Sequence, residues 1–388
     1  MIKQFLIKDK ESIYLLLITL VLLAFGFLAM SSCSNMIDIK HPMAYYMSHF
    51  KNIMIGCGVC FVSVFINYKY YKNFNFIAFI ITAILLIIPF FCRDIKGAHR
   101  WIIFSFSSFN FQPSELAKIV LTIIMANFLS RHKENINNWK ANVFPLVYLG
   151  VFCLIIYFQK DLGTIILLYI VWSSLLFITK IDTKRIIILC LVGIIGLVTF
   201  ILKEDYRRDR VKVLMQPIIE FVMGKQNNDN KKNIKKADDY NSKISFAAFG
   251  SGGILGKGAG NSKLKLNYLP ERHTDYIFAI IGEEYGLFGT LSIVILFMFY
   301  IGIISYIHKK CTDDFGKYLS FGIMLIMAIQ SVINMGMTIG ILPAKGFPLP
   351  FVSYGGSSML INFYMLGILI NISKNNNKNN LKRQTYSR

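Results

Sequence analysis

The run SIYLLLITLVLLAFGFLAMS, residues 12–31, carries no charged side chain. At about 1.5 Å of rise per residue, a helix of this length matches a hydrocarbon core of about 30 Å. Lys3, Lys8 and Lys10 precede it and no small-residue cleavage site follows, so it reads as a retained first span and not as a leader. Outward from it, further apolar segments run over approximately 52–67, 76–92, 113–130, 143–158, 162–179, 186–202, 284–307, 318–342 and 353–372. The expected fold class is an all-α polytopic membrane protein with about ten transmembrane helices.

Composition agrees. The 388-residue chain is 55% hydrophobic and 14% aromatic, with a mean hydropathy of +0.52, more apolar than a soluble domain. Its formal net charge of +21 would suggest nucleic acid in a soluble chain. Here Lys and Arg lie between apolar runs without a nucleic-acid motif, so anionic membrane lipid is the expected partner and nucleic acid is not. Cys57 and Cys60 form a CxxC inside an apolar run with no second pair, which points to packing; no disulfide is expected.

In the short loops, Lys and Arg concentrate on the side that carries both termini, which places both termini in the cytoplasm. Residues 1–11 are then a cytoplasmic N-terminus, 12–372 the membrane domain and 373–388 a basic cytoplasmic tail. The connection over 203–283, between the seventh and eighth spans, is too long to obey the charge rule and is expected as a large extracytoplasmic loop. Within it GKQNNDNKKNIKKADDYNS, residues 224–242, is polar and rich in Lys and Asn, the composition of a flexible insert. From Ile244 apolar residues return, and this part is expected to pack on the membrane domain.

Ionisable groups at membrane depth cost roughly 2.5–3.5 kcal/mol each on insertion scales, which makes them functional candidates by default. YLPERHTDYIFAIIGEEYG, residues 268–286, sets His273, Thr274 and Asp275 at the mouth of an apolar segment. In GAHRWIIFSFSSFNFQPSELAKI, residues 97–119, Pro113 can open a helix whose cap or first turn holds Ser114. Glu115 and Lys118 then stand three apart on one face and can pair, either as a structural ion pair or at the border of a polar cavity. Arg100, beside Trp101, reads as an interfacial anchor or as a phosphate ligand.

Other polar features have plainer readings. Asp161 in QKDLGT suits a helix cap and Lys160 can snorkel; YRRDRVK from Tyr206 suits a headgroup-facing cluster. In GSGGILGKGAGNS, residues 250–262, Lys257 is followed by Gly where a phosphate loop has Ser or Thr. Tight turns are favoured there over backbone contact with a diphosphate. Glu283 and Glu284 read as a helix-end or packing pair. The prolines and glycines of NMGMTIGILPAKGFPLPFVSYGGSSM, residues 334–359, indicate a broken or re-entrant segment lining the same chamber.

GAxRW from Gly97, QPSE and AK from Gln112, DLGT from Asp161, YLPERHTDYIFAIIGEE from Tyr268 and LPAKGxPLPFxSYGGSS from Leu342 resemble the SEDS family (shape, elongation, division and sporulation) of bacterial cell-wall polymerases. The resemblance covers essentially the whole membrane region. The run over 260–284 is similar to the division branch more than to the elongation branch. Two features depart from the family pattern: Lys160 stands where a proline usually precedes DLGT, and the 224–242 insert has no clear counterpart.

The resemblance implies a peptidoglycan glycosyltransferase acting on lipid II at the outer face of the bacterial cytoplasmic membrane, with the division septum as its expected place. It implies Asp275 as the catalytic residue, with Glu115 and Lys118 at the substrate cavity. Asp275 is then the expected general base for the acceptor hydroxyl. Arg100, Lys118 and Arg272 are candidates to offset the charge of the leaving diphosphate, with a divalent cation (Mg or Mn), held mainly by that diphosphate, as the alternative. No organic cofactor is expected. His273 either orients Asp275 or packs at the span entrance. A class B penicillin-binding protein and other divisome proteins are the implied partners, since the chain lacks a serine-acylation motif set of its own. A lipid II flippase, an elongation polymerase and a scaffold without chemistry are the alternatives.

Overall fold

The computed structural model describes residues 9–37, 44–93, 98–103, 110–133, 139–179, 236–262, 274–342 and 346–386, with scattered positions between 181 and 196. Lipid offers the backbone no hydrogen-bond partners, so each long apolar run closes its own ladder as a helix. Among the described residues these are α1 (Lys10–Ile37), α2 (Ala44–Phe65), α3 (Tyr71–Ile87), α4 (Pro113–Arg131), α5 (Trp139–Phe158), α6 (Leu162–Phe177), α7 (Lys236–Gly252), α8 (Ile277–Lys310), α9 (Asp314–Thr338) and α10 (Gly356–Tyr386). Among them seven helical stretches are long and apolar enough to cross a membrane, and two shorter apolar helices cover Pro145–Phe158 and Leu162–Phe177. The chain is a multi-pass membrane protein. The seventh expected segment, 186–202, lies largely outside the described residues.

Helix α4 occupies the centre, with nearly every side chain from Pro113 to Leu129 buried. It packs against α3, α6 and α9, while α10 lies along α2 and α8 along α9. Outward-facing Leu20, Phe61, Phe76 and Met298 are exposed, as lipid-facing side chains are. One end of the bundle is tied by ion pairs between helix ends, Lys310 with Glu11 at 2.9 Å, Lys72 with Asp313 at 3.4 Å and Lys133 with Asp314 at 3.0 Å. There Asp9 accepts hydrogen bonds from Ser373 at 2.8 Å and Asn377 at 3.0 Å, which brings the regions before α1 and late in α10 to the same end.

The opposite end carries the irregular structure. A small antiparallel strand pair, β1 (Ile102–Ile103) with β2 (Asn110–Phe111), precedes α4. Pro113 opens α4, Gln112 holds the N-cap position without a side-chain cap, and Ser114 lies in the first turn. Asp161 caps α6 by accepting from the Thr164 backbone N–H at 3.4 Å, and its other oxygen accepts from the Thr164 hydroxyl at 2.8 Å. Helix α7 begins at Lys236, inside the stretch whose composition suggests a flexible insert; residues 224–235 lie outside the described residues. It packs on α8 and α9, and the Ser245 hydroxyl donates to the Thr338 carbonyl at 2.6 Å.

Helix α8 starts at Ile277, seven residues before the expected span, and is broken at Gly286 (φ 64°, ψ −155°), so that a short helical stretch precedes the break. The break strands donors and acceptors that lipid cannot satisfy, and the glycine-rich loop after α7 takes them up. Lys257 N–H donates to the Glu283 carbonyl and Gly258 N–H to the Glu284 carbonyl, both at 3.0 Å, while Leu287 N–H donates to the Gly253 carbonyl at 3.0 Å. The loop backbone thus substitutes for missing helical bonds, and its Lys257 and Gly258 donors are already committed.

Glycine is required at the contact. At Gly256 (φ +81°) a Cβ would sit 2.2 Å from the Glu284 carbonyl oxygen. Gly256→Ala is expected to lower the apparent Tm of the purified protein by the equivalent of about 1–3 kcal/mol of backbone strain. Gly250→Ala is the control, since a Cβ there meets nothing within 4 Å. Equal melting of the two variants would show that the docking carries no stability.

Candidate active site

Asp275 lies half-buried in the turn just ahead of α8, at the irregular end. Its main-chain carbonyl accepts from the Asn334 side-chain amide at 3.0 Å, and the same amide nitrogen donates to the Phe347 carbonyl at 2.6 Å. Asn334 is wholly buried near the end of α9. The segment that follows α9 therefore runs beside Asp275: a Cβ at Gly346 would lie 3.0 Å from the Asp275 Oδ2. The expected broken connection between the last two spans is present, returning through a turn at 350–353 into α10.

Near the Phe347 ring stands the Glu115–Lys118 pair. Lys118 Nζ donates to Glu115 Oε1 at 2.7 Å, with side chains only 1% and 5% exposed. Nζ also lies 5.9 Å from the centre of the Phe347 ring, in reach of a cation–π contact. Burying both charges is costly, and the mutual attraction repays it only when the remaining valences are also satisfied. Among the described residues Glu115 Oε2, Ser114 Oγ, Asn334 Oδ1 and both polar atoms of the Gln330 amide are buried without a hydrogen-bond partner.

Two of these groups, Ser114 and Gln330, belong to one level of the bundle. Gly322 on α9 packs on Thr122 of the antiparallel α4, where a Cβ would meet Cγ2 at 2.2 Å. Two helical turns further along α9, Gln330 stands level with Ser114, two turns back along α4. The start of α4 is fixed by Ser357 of α10, whose hydroxyl accepts from Gln112 N–H at 2.8 Å and donates to the Asn110 carbonyl at 3.0 Å. Buried polar atoms with open valences and a half-buried carboxylate are groups of the kind that engage a polyhydroxylated ligand.

Arg100 has a definite structural task. Its Nε donates to the Gln159 carbonyl at 3.3 Å and its Nη2 to the Lys160 carbonyl at 2.5 Å. It thereby satisfies carbonyls that the end of α5 leaves unpaired. Lys160 sits there with φ 62°. Arg272 and His273 lie outside the described residues. Glu283 is fully buried and holds Lys257 Nζ at 2.6 Å together with the Ser251 hydroxyl at 3.3 Å and the Ser262 hydroxyl. Glu284 accepts from Ser32 and from Ser262 N–H, so the two glutamates clamp the glycine loop to α8 and α1. Cys57 and Cys60 are free thiols. Among the described residues no three His, Cys, Asp or Glu side chains converge as metal ligands.

Asn334, Gly346, Phe347 and Gln330 are members of this site that motif reading left undifferentiated. The available signals were a polar Asn at the start of the proline- and glycine-broken run and a Gln inside an apolar span.

A family model described as cell cycle protein, covering FtsW, RodA and SpoVE, matches residues 13–378. The chain is 32% identical over 373 residues to the probable peptidoglycan glycosyltransferase FtsW of Geobacter metallireducens, covering 94% of this chain and 95% of the relative. The protein of the same description from Coxiella burnetii is 31% identical over 371 residues, with 93% and 95% covered. Among solved structures, a chain of a peptidoglycan synthase complex that coordinates polymerization and crosslinking superposes with a TM-score of 0.72 at 20% identity, covering 93% of this chain and 97% of that one. The rod shape determining protein RodA of Thermus thermophilus gives 0.66 at 19%, covering 93% and 96%. These structures share the polytopic helical fold. With the family model matched along nearly its whole length and relatives above 30% identity over more than nine-tenths of it, the chain belongs to the FtsW/RodA/SpoVE family of cell cycle proteins.

Proposed function

We propose that the protein is a peptidoglycan glycosyltransferase of the FtsW type, polymerising lipid II into glycan strands in septal wall synthesis. The observation that carries this reading is the half-buried Asp275 carboxylate held against Gly346, one residue from the ring that lies by the buried Lys118–Glu115 pair. Both relatives quoted above are named as probable peptidoglycan glycosyltransferases, which supports it. The irregular end of the bundle is taken as the outer face, and the ion-paired end, with both termini, as the cytoplasmic one.

In the reaction the sugar 4-hydroxyl of the acceptor attacks the anomeric carbon of the donor. A new glycosidic C–O bond forms, the bond from that carbon to the diphosphate oxygen breaks, and undecaprenyl diphosphate leaves with the bonding pair. Asp275 takes the hydroxyl proton. The leaving group is already a stable anion, so a second carboxyl acting as acid is not needed, unlike in most glycosidases. Lys118 and Arg272 are assigned to offset its charge; Arg100 has guanidinium donors beyond the two spent on α5. Among the described residues no three candidate ligands converge, and a magnesium or manganese ion is assigned to be held mainly by the diphosphate. A class B penicillin-binding protein is the proposed partner for cross-linking.

The purified protein with its transpeptidase partner, given lipid II in detergent, is expected to produce glycan strands. A flippase, for which the broken α8 and the interrupted α9–α10 connection would also be suited, has nothing to transport across in detergent and makes none. Lipid II translocation in vesicles without any strand synthesis would replace the polymerase reading by the flippase one.

A further inference from the structure

We propose that Asn334 is a positioning residue for the transfer, setting the Asp275 turn in register with the Gly346–Phe347 segment and, through Phe347, with the Glu115–Lys118 pair. The proposal rests on the reading of Asp275 as the general base. Asn334 is fully buried on α9, and both of its hydrogen-bond partners are main-chain carbonyls, of Asp275 and of Phe347. Only the amide nitrogen can donate to a carbonyl, so the orientation of the side chain follows from its partners, and both N–H groups are spent on this bridge.

The bridge joins chain segments that are 59 and 13 residues away from Asn334 in sequence. It leaves the carboxylate so close to Gly346 that a Cβ there would come to 3.0 Å of Oδ2. The neighbouring Phe347 ring is thereby presented 5.9 Å from Lys118 Nζ. One carboxamide on a rigid helix thus couples the base to the cation proposed for the leaving group. Without it the buried Phe347 carbonyl and the half-buried Asp275 carbonyl lose this donor, and the turn before α8 can relax away from the α9–α10 connection. A displacement of about 1 Å at a reacting group can cost on the order of 10²-fold in rate.

The test is steady-state lipid II polymerisation by the purified full-length protein with its transpeptidase partner, expressed per folded molecule. Asn334→Ala is expected to lower kcat by about 30–100-fold while KM for lipid II stays within about threefold. Asn334→Asp keeps the shape but offers the carbonyls no donor, and is expected to lose at least as much. Wild-type kcat in either variant, or a loss confined to KM, overturns the proposal. Should Asn334→Ala fail to fold, Gly346→Ala, at an exposed position, crowds Oδ2 without touching Asn334 and is expected to lower kcat alone. Wild-type kcat in both Gly346→Ala and Asn334→Asp then overturns it. Asp275→Ala run alongside separates the two readings. If it polymerises normally, the base assignment itself fails; if it is inert while Asn334→Ala is fully active, only the positioning role fails.

Discussion

Asp275→Asn is expected to abolish glycan-strand formation, with a loss on the order of 10²–10⁴-fold, the usual contribution of a general base. Asn keeps the volume and planarity of the carboxylate but cannot accept the acceptor hydroxyl's proton. The fold is expected to survive, because the link from Asn334 is to the main-chain carbonyl of residue 275 and is independent of the side chain. Asp275→Ala should fail to at least the same extent, since it removes the proton acceptor together with the side chain that lies against Gly346. Monodisperse, thermally stable variants that bind lipid II but make no strands are the expected result. Full polymerisation by either variant would sink the base assignment, and silence at this position combined with defects from loop changes would favour a scaffold.

Much of this organisation was legible in one dimension. Hydropathy is a property of contiguous residues, so the spans show directly, and a charged residue at membrane depth stands out against its neighbours. Asp275 and the Glu115–Lys118 pair stand out in this way, the latter because three-residue spacing puts both on one helix face. Features that depend on distant segments were hidden. Glu283, Glu284 and Gly286 make the start of α8 look like loop; only the backbone of the 253–258 loop, completing the broken ladder, lets it be helix. The glycine cluster does form turns, with positive φ at Gly253, Gly256, Gly258 and Gly260, but which helix it mends is written in no local pattern. Asn334 looked like one more polar letter in a broken run, since its two partners lie in different parts of the chain. Arg100 illustrates the converse, as its residue type suits a phosphate but its position at the end of α5 gives it carbonyls to bind.

The Glu115–Lys118 pair separates structural from catalytic duty by a double substitution. Lys118→Met is expected to destabilise the protein by about 3–5 kcal/mol, because it leaves a buried carboxylate without its counter-charge. The donor lost is the 2.7 Å contact to Oε1, and no water-exposed rearrangement is open to a side chain 5% exposed. Adding Glu115→Gln removes the stranded charge, and Met fills much of the lysine stem's volume, so the double variant should recover most of the lost stability. Activity is expected not to return with it. The open Oε2 of Glu115 and the Phe347 contact tie the pair to the segment beside Asp275, and under the proposed role a neutral substitute offers the departing diphosphate no cation. Thermal melting in detergent and lipid II polymerisation, measured on wild type, both single variants and the double, give the two readouts separately. Recovery of both stability and polymerisation in the double variant would reduce the pair to an ion pair that only holds α4 together, and would move leaving-group stabilisation to Arg272 or Arg100.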